Sequence, residues 1–96
     1  MTFVFHPDAE IEFNESIDYY ESCSNGLGFD FSLEVLSSIE TILQHPLAWP
    51  SVESDVHRCL VNRFPFGILY AIEDQKIFIL AVMHLHRQPG YWHARR

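Results

Sequence analysis

Residues 76–92, Lys76-Ile-Phe-Ile-Leu-Ala-Val-Met-His-Leu-His-Arg-Gln-Pro-Gly-Tyr-Trp92, decide the fold. The seven consecutive apolar residues from Ile77 to Met83 are too few to cross a bilayer. Charge precedes them and His, Arg, Pro and Gly follow, so the run predicts a strand buried on both faces in the middle of a sheet. Where the run stops, His84, His86, Arg87, Tyr91 and Trp92 arrive together. The end of a rigid strand thus delivers polar and aromatic groups to one place, where binding or chemistry is expected.

Upstream of this strand, Glu73-Asp74-Gln75-Lys76 makes a polar turn, and Phe66, Ile68, Tyr70 and Ile72 alternate with Gly67, Leu69 and Ala71. Pro65 interrupts the pattern. Before it, His57 to Phe64 predicts another strand, with Arg58, Leu60 and Asn62 opposite Cys59, Val61 and Arg63. The three strands make an antiparallel meander. From Pro46 to Val56 a stretch with Pro50, Trp49 and mixed Ser, Glu and Asp has no periodicity and reads as a loop, with Trp49 pinning it to the core.

The first half reads as strand, helix, helix. Thr2 to Phe5 is short, β-branched and aromatic, and Pro7 both stops it and suits the first position of a helix. Ala9, Phe13, Ile17 and Tyr20 form one apolar stripe over Pro7 to Cys23, with Glu12, Glu15, Asp18 and Glu21 expected to face water. Ser24-Asn25-Gly26-Leu27-Gly28 carries residues that tolerate positive φ and reverses the chain. Phe31, Val35, Ile39 and Ile42, with Leu36 and Leu43 alongside, predict a second helix ended by Pro46 after His45. The first strand adds beside the last one. The expected architecture is one α+β domain over residues 1–96, in the order β-α-α-β-β-β, a helical hairpin packed on one face of a mainly antiparallel four-stranded sheet.

The formal net charge of −7 argues against a generic nucleic-acid binder, but the charges are segregated. Residues 1–57 contain no Lys or Arg. Residues 58–96 hold all six bases against two acids, a net of +4, so an acidic helical side and a basic sheet end are expected. Cys23 and Cys59 have neither metal-ligand nor redox-motif spacing and read as reduced thiols of a cytoplasmic protein. No signal peptide and no membrane segment are expected.

Arg58, Arg63 and Arg87 come from different predicted strands, two or three of which could meet at one end of the sheet. Guanidinium groups stay charged and match phosphate or carboxylate oxygens, so such a cluster would hold a nucleic-acid backbone or an acidic partner. His84, His86, Tyr91 and Trp92 join Arg58, Arg63 and Arg87 as candidate target-binding residues. His or Tyr could move protons in metal-free RNA cleavage while Arg stabilises the phosphorane-like charge. Each has a structural alternative: Arg63 and Arg87 as ion-pair partners of helix acids, Tyr91 and Trp92 as packing for the terminal segment, His84 as a hydrogen-bonded core histidine. His84 and His86 lie two apart on one face, yet no carboxylate or cysteine stands at matching spacing, so no metal site is expected. No cofactor motif is present.

Phe5-x-Pro7-x-Ala9, Glu15, Tyr19-Tyr20-Glu21, Gly26-Leu27-Gly28, Phe31, Pro46, Trp49-Pro50, Arg63-Phe64-Pro65-Phe66, Tyr70, Ile79-Leu80-Ala81-Val82, His84, Arg87 and Pro89-Gly90-Tyr91-Trp92, taken in order, resemble the RelE/ParE superfamily of bacterial toxins over nearly the whole chain. The resemblance implies the same β-α-α-β-β-β fold and membership of a type II toxin–antitoxin (plasmid stabilisation) pair. It also implies neutralisation by a small antitoxin whose disordered tail folds on binding, giving a toxin–antitoxin hetero-oligomer. In RelE-like members, which cut messenger RNA on the ribosome, Arg63 and Arg87 would stabilise phosphate and Tyr91 would transfer a proton. ParE-like members inhibit DNA gyrase by binding and need no such catalytic set. Lys76 is the only lysine and falls in a turn, while binding of ribosomal RNA is largely electrostatic. The Arg-Phe-Pro-Phe and Pro-Gly-Tyr-Trp stretches stand closer to the ParE-like branch. Gyrase binder, endoribonuclease and a degenerate interaction protein remain three distinct expectations.

Overall fold

In the computed structural model, which describes every residue from Met1 to Arg96, Thr2–Phe5 forms β1 and Pro7 opens helix α1, Pro7–Cys23. The His6 ring accepts from the Asp8 N–H at 3.0 Å and satisfies one of the unpaired donors of the helix start. Helix α2, Leu27–Gln44, follows a three-residue reversal in which Gly26 takes φ 85°, a conformation that costs glycine little. Gly26 has no side chain to cap α2. Instead Glu21 of α1 accepts from the Gly26 and Gly28 N–H groups at 2.9 and 3.0 Å, placing negative charge at the positive end of α2. Gly28 also lets the helices close up, since a Cβ there would stand 2.5 Å from the Ile17 carbonyl oxygen.

Three further antiparallel strands were expected; four are present. Strand β2, Ser51–Glu53, lies within the stretch read as loop, and β3, β4 and β5 span Val56–Leu60, Phe66–Glu73 and Lys76–His84. The sheet is therefore five-stranded, in the order β1-β5-β4-β3-β2, with β1 parallel to β5 and all other pairs antiparallel. Strand β2 is three exposed residues with a register shift, so no apolar alternation announced it. Strand β3 ends at Leu60, not Phe64, because Arg63 adopts φ 71° and the chain turns there ahead of Pro65. Arg63 accordingly belongs to a turn and not to the sheet.

The helix-facing side of the sheet holds the main core. Phe13, Phe31, Val35, Ile39 and Ile42 of the helices pack against Cys59, Phe66, Ile68, Tyr70, Ile77, Ile79 and Val82. Phe31 is fully buried, with Phe64 and Phe66 ring centroids at 5.2 and 4.8 Å in edge-on arrangements that aromatic quadrupoles favour. Trp49 packs against this core as expected, and its carbonyl contacts the His57 ring at 2.9 Å. Leu36, placed by the sequence beside the core stripe, is 42% exposed on the far side of α2.

The opposite face of the sheet is closed by the chain's own end. Val56, Leu69, Ala71, Leu80, Ala81, Met83 and Trp92 form a second apolar cluster, with Tyr91 and Phe78 against it. A bulge makes this possible. Leu69 pairs with Ala81 and Tyr70 with Ile79, so Leu80 has no partner and the alternation of β5 slips by one. Ile77 and Ile79 face the helices before the slip and Val82 after it.

Candidate functional site

Strand β1 stops pairing at Phe5 with Ile79, and the His6 N–H donates to the Ile79 carbonyl at 2.8 Å. Beyond that point the same edge of β5 has no strand beside it. Side chains take over: the Val82 N–H donates to Glu12 Oε1 at 3.1 Å and Arg95 Nη1 donates to the Leu80 carbonyl at 3.0 Å. Arg95 also forks onto both Glu12 oxygens at 2.8 Å, and the Tyr91 hydroxyl donates to Glu12 Oε2 at 2.6 Å. Glu12, expected to face water, is thus only 13% exposed at its side chain and accepts four hydrogen bonds. A carboxylate so buried is tolerable only with such partners.

Arg87 stands at the outer side of this knot. Its guanidinium carbon lies 3.9 Å from the Tyr91 ring centre, Arg95 lies 4.9 Å from the same ring, and Arg87 Nη1 is 4.0 Å from Glu12. Burial first, and then the bond to Glu12, push the Tyr91 phenol above its ordinary range, while the two arginines pull the other way.

Two clefts meet at Arg87. The larger, about 250 Å³, lies on the outer sheet face with Leu69, Met83 and Trp92 as floor and Arg58, Arg87 and Glu53 among its walls. The smaller, about 130 Å³, lies between α1 and the end of β5, bordered by Glu12, Glu15, Ser16, Val82, His84 and Arg87. Gly67 makes room for the stem of Arg58, which a Cβ there would meet at 3.2 Å.

The structure therefore brings Arg58, Arg87 and Trp92 to the larger groove, sets His84 beside Arg87 on the smaller cleft, and stacks Arg87 on the Tyr91 ring. Arg63 is not among them. Its turn directs it to Asp30 and Glu34 of α2, both at 3.6 Å. His84 is half-buried beside Phe66, and its Nδ1 accepts from the His86 N–H at 3.1 Å, while the His86 side chain is exposed. No group of three or more His, Cys, Asp or Glu is placed to hold a metal ion.

The sequence missed Glu12, Arg95 and Arg96. Arg96 pairs with Asp55 and with Glu73 at 3.1 Å, and His93 with Glu53 at 2.8 Å, so the last residues are tied to three parts of the chain. One signal was available: with no Lys or Arg in residues 1–57, a helix acid paired with either had to be met from the carboxyl-terminal part. Arg63, Arg87 and Arg95 are used this way and Arg96 pairs with Asp55 and Glu73 outside the helices, leaving Arg58 and Lys76 as the Lys and Arg residues without an ion pair.

No protein-family model matches the sequence, and no curated protein matches it. Among solved structures, the chain is similar to one described as "Chromosomal ParDE TA system from P. aeruginosa", with a TM-score of 0.74 and 17% sequence identity over 88% of this chain and 95% of that chain. The fold is RelE/ParE-like. No helix is long and apolar enough to cross a membrane.

Proposed function

We propose that this chain is the toxin of a type II toxin–antitoxin pair, of the ParE-like kind, that arrests growth by binding a cellular target such as DNA gyrase and is neutralised by a cognate antitoxin. The observation that carries the reading is the fold shared with the ParDE chain over most of both lengths. The groove between Arg58 and Arg87, with an apolar floor and two cationic walls, is the surface we assign to the target. Such a groove suits a segment that combines carboxylates or phosphates with apolar groups.

A catalytic role asks more of the same residues. The endoribonuclease reading uses Arg63, Arg87 and Tyr91 on one phosphate, yet Arg63 is held by α2 acids, and the Tyr91 proton is already donated to Glu12. A phenol whose ionisation is pushed up makes a poor base at neutral pH. The binding reading needs neither group to react, and it calls for no cofactor.

Two assays on the purified chain decide between the readings. The expected result is inhibition of gyrase supercoiling, weakened at least tenfold in Arg58→Ala and Arg87→Ala, with messenger RNA left intact on programmed ribosomes. Cuts at the A-site codon that vanish in Arg87→Ala and Tyr91→Phe would instead establish the nuclease. Intact supercoiling, intact message and no growth arrest on induction would leave the degenerate interaction protein.

A further inference from the structure

The larger groove holds two cations that little in the chain answers. Arg58 has no ion-pair partner, Arg87 comes no closer to Glu12 than 4.0 Å, and every arginine side-chain hydrogen bond belongs to Arg95 or Arg96. Both are nonetheless positioned. The Arg58 stem lies against Gly67, 3.2 Å from where a Cβ would stand, and the Arg87 guanidinium carbon is 3.9 Å from the Tyr91 ring centre. A guanidinium held in place with its donors free meets an anion at a reduced entropic cost.

Size and sign then narrow the ligand. The groove measures about 250 Å³ over an apolar floor of Leu69, Met83 and Trp92. A cavity of about 150 Å³ admits benzene, so this one takes a single ring or branched alkyl group with a short charged arm. Larger ligands such as nucleotides occupy pockets of about 300–1,000 Å³. Trp92 is 5% exposed, which leaves no ring face on which a base could stack. Glu53, also on the wall and paired with His93 at 2.8 Å, opposes a second negative charge such as a phosphate monoester would bring. We infer that the groove binds a small apolar monocarboxylate, its carboxylate on Arg58 and Arg87 and its ring or branched chain on Leu69, Met83 and Trp92. As a ligand it asks nothing of the toxin reading; as a competitor of the target for the same two arginines it rests on that reading.

The test titrates the purified, isotope-labelled full chain with 3-phenylpropionate and follows amide and indole signals by NMR. Saturable shifts are expected at the Gly90 amide and the Trp92 indole N–H, with Gly26 and Gly28 of the helical turn unmoved. 3-Phenylpropionamide, which lacks the charge, and acetate, which lacks the apolar group, should each bind at least tenfold more weakly. Arg58→Met and Arg87→Met keep an apolar stem and should each weaken the acid at least fivefold. Leu85→Trp, at an exposed position on the same wall, should fill the groove and abolish the shifts while circular dichroism matches the wild-type chain. Equal binding of acid and amide overturns the inference, as does binding that neither arginine substitution weakens, or no shift at these signals up to the solubility limit of the acid. Tighter binding of phenyl phosphate, or of a short peptide ending in phenylalanine, would overturn it too, in favour of a phosphate ester or of a protein chain end. Binding is read without gyrase, so a chain that takes the acid yet leaves supercoiling alone fails the toxin reading and keeps this inference.

Discussion

The two faces of the sheet are closed by different physics. The helix side is sealed by contiguous elements whose apolar residues recur with helical period, and aromatic rings from α1, α2 and β4 meet there. The outer side is sealed by the last six residues, held less by area than by a few buried polar contacts centred on Glu12 and Arg95. Burial of hydrocarbon is non-directional and tolerates small shifts, whereas a carboxylate knot works only when every partner is in place. The first face therefore sets whether the domain folds. The second sets where the terminal segment lies, and with it the groove of Arg58 and Arg87.

The largest expected effect falls on the first face. Phe31→Ala removes a fully buried ring between Phe13, Tyr20, Phe64 and Phe66 and should cost about 4 kcal/mol, much of the stability of a small domain. Urea denaturation should show the midpoint collapse with an unchanged slope. Glu12→Ala comes next, at about 3 kcal/mol, because it strips the Arg95 guanidinium, only 12% exposed, of its carboxylate, leaving the Leu80 carbonyl as its hydrogen-bond acceptor, and leaves the Val82 N–H with none. Glu12→Gln should cost less and should lower the Tyr91 titration, read by ultraviolet absorbance, only part of the way toward its ordinary value. Burial, the larger cause of the shift, persists in that variant. A Glu12→Ala protein as stable as wild type would break the comparison, since the outer face would then be closed by Trp92 and its neighbours alone.

How much of each face could be read in advance follows the same division. The stripe Phe13, Phe31, Val35, Ile39, Ile42 and the double burial of β5 were legible, because periodicity records local exposure and the core consists of it. The placement of β1 beside β5 was legible for the same reason. The bulge at Leu80 was not: a run apolar on both faces carries no alternation from which a slip could be seen. Glu12 was misplaced because it sits among helix acids with identical local surroundings, while Arg95, its partner, is 83 residues away. Arg63 was put on a strand by alternation that continued through Asn62, and only the positive φ ahead of Pro65 removes it. In the candidate site, the residue types were recognised but their grouping was not, since grouping depends on turns and on long-range polar pairs.

A smaller effect is expected from pH on the second face. The Arg96 guanidinium hydrogen-bonded to Asp55 lowers that carboxyl from 3.8 to about 2. A depressed folded-state value means that the unfolded chain binds the proton first as pH falls. The contribution is therefore complete above about 4 and lost between there and about 2. Asp55→Asn should be less stable than wild type at neutral pH, with the difference closing across that window in acid denaturation curves. A gap that stays constant down to pH 2 would show that Arg96 does not hold the tail through Asp55.

The smallest stability effect should belong to Arg87, and that is what makes it informative. Its side chain is 53% exposed, its approach to Glu12 is only 4.0 Å, and its stacking on Tyr91 is open to water on one side. Exposed ion pairs and cation–π contacts of this kind contribute less than about 1 kcal/mol each. Arg87→Ala should therefore melt within a few degrees of wild type while losing most inhibition of its target, the reverse of Glu12→Ala relative to cost. Thermal melting and the supercoiling assay on the same preparation measure both quantities. If Arg87→Ala instead destabilises as much as Glu12→Ala, Arg87 is a brace of the carboxylate knot, and the outer groove keeps only Arg58 as a cation free to meet a target.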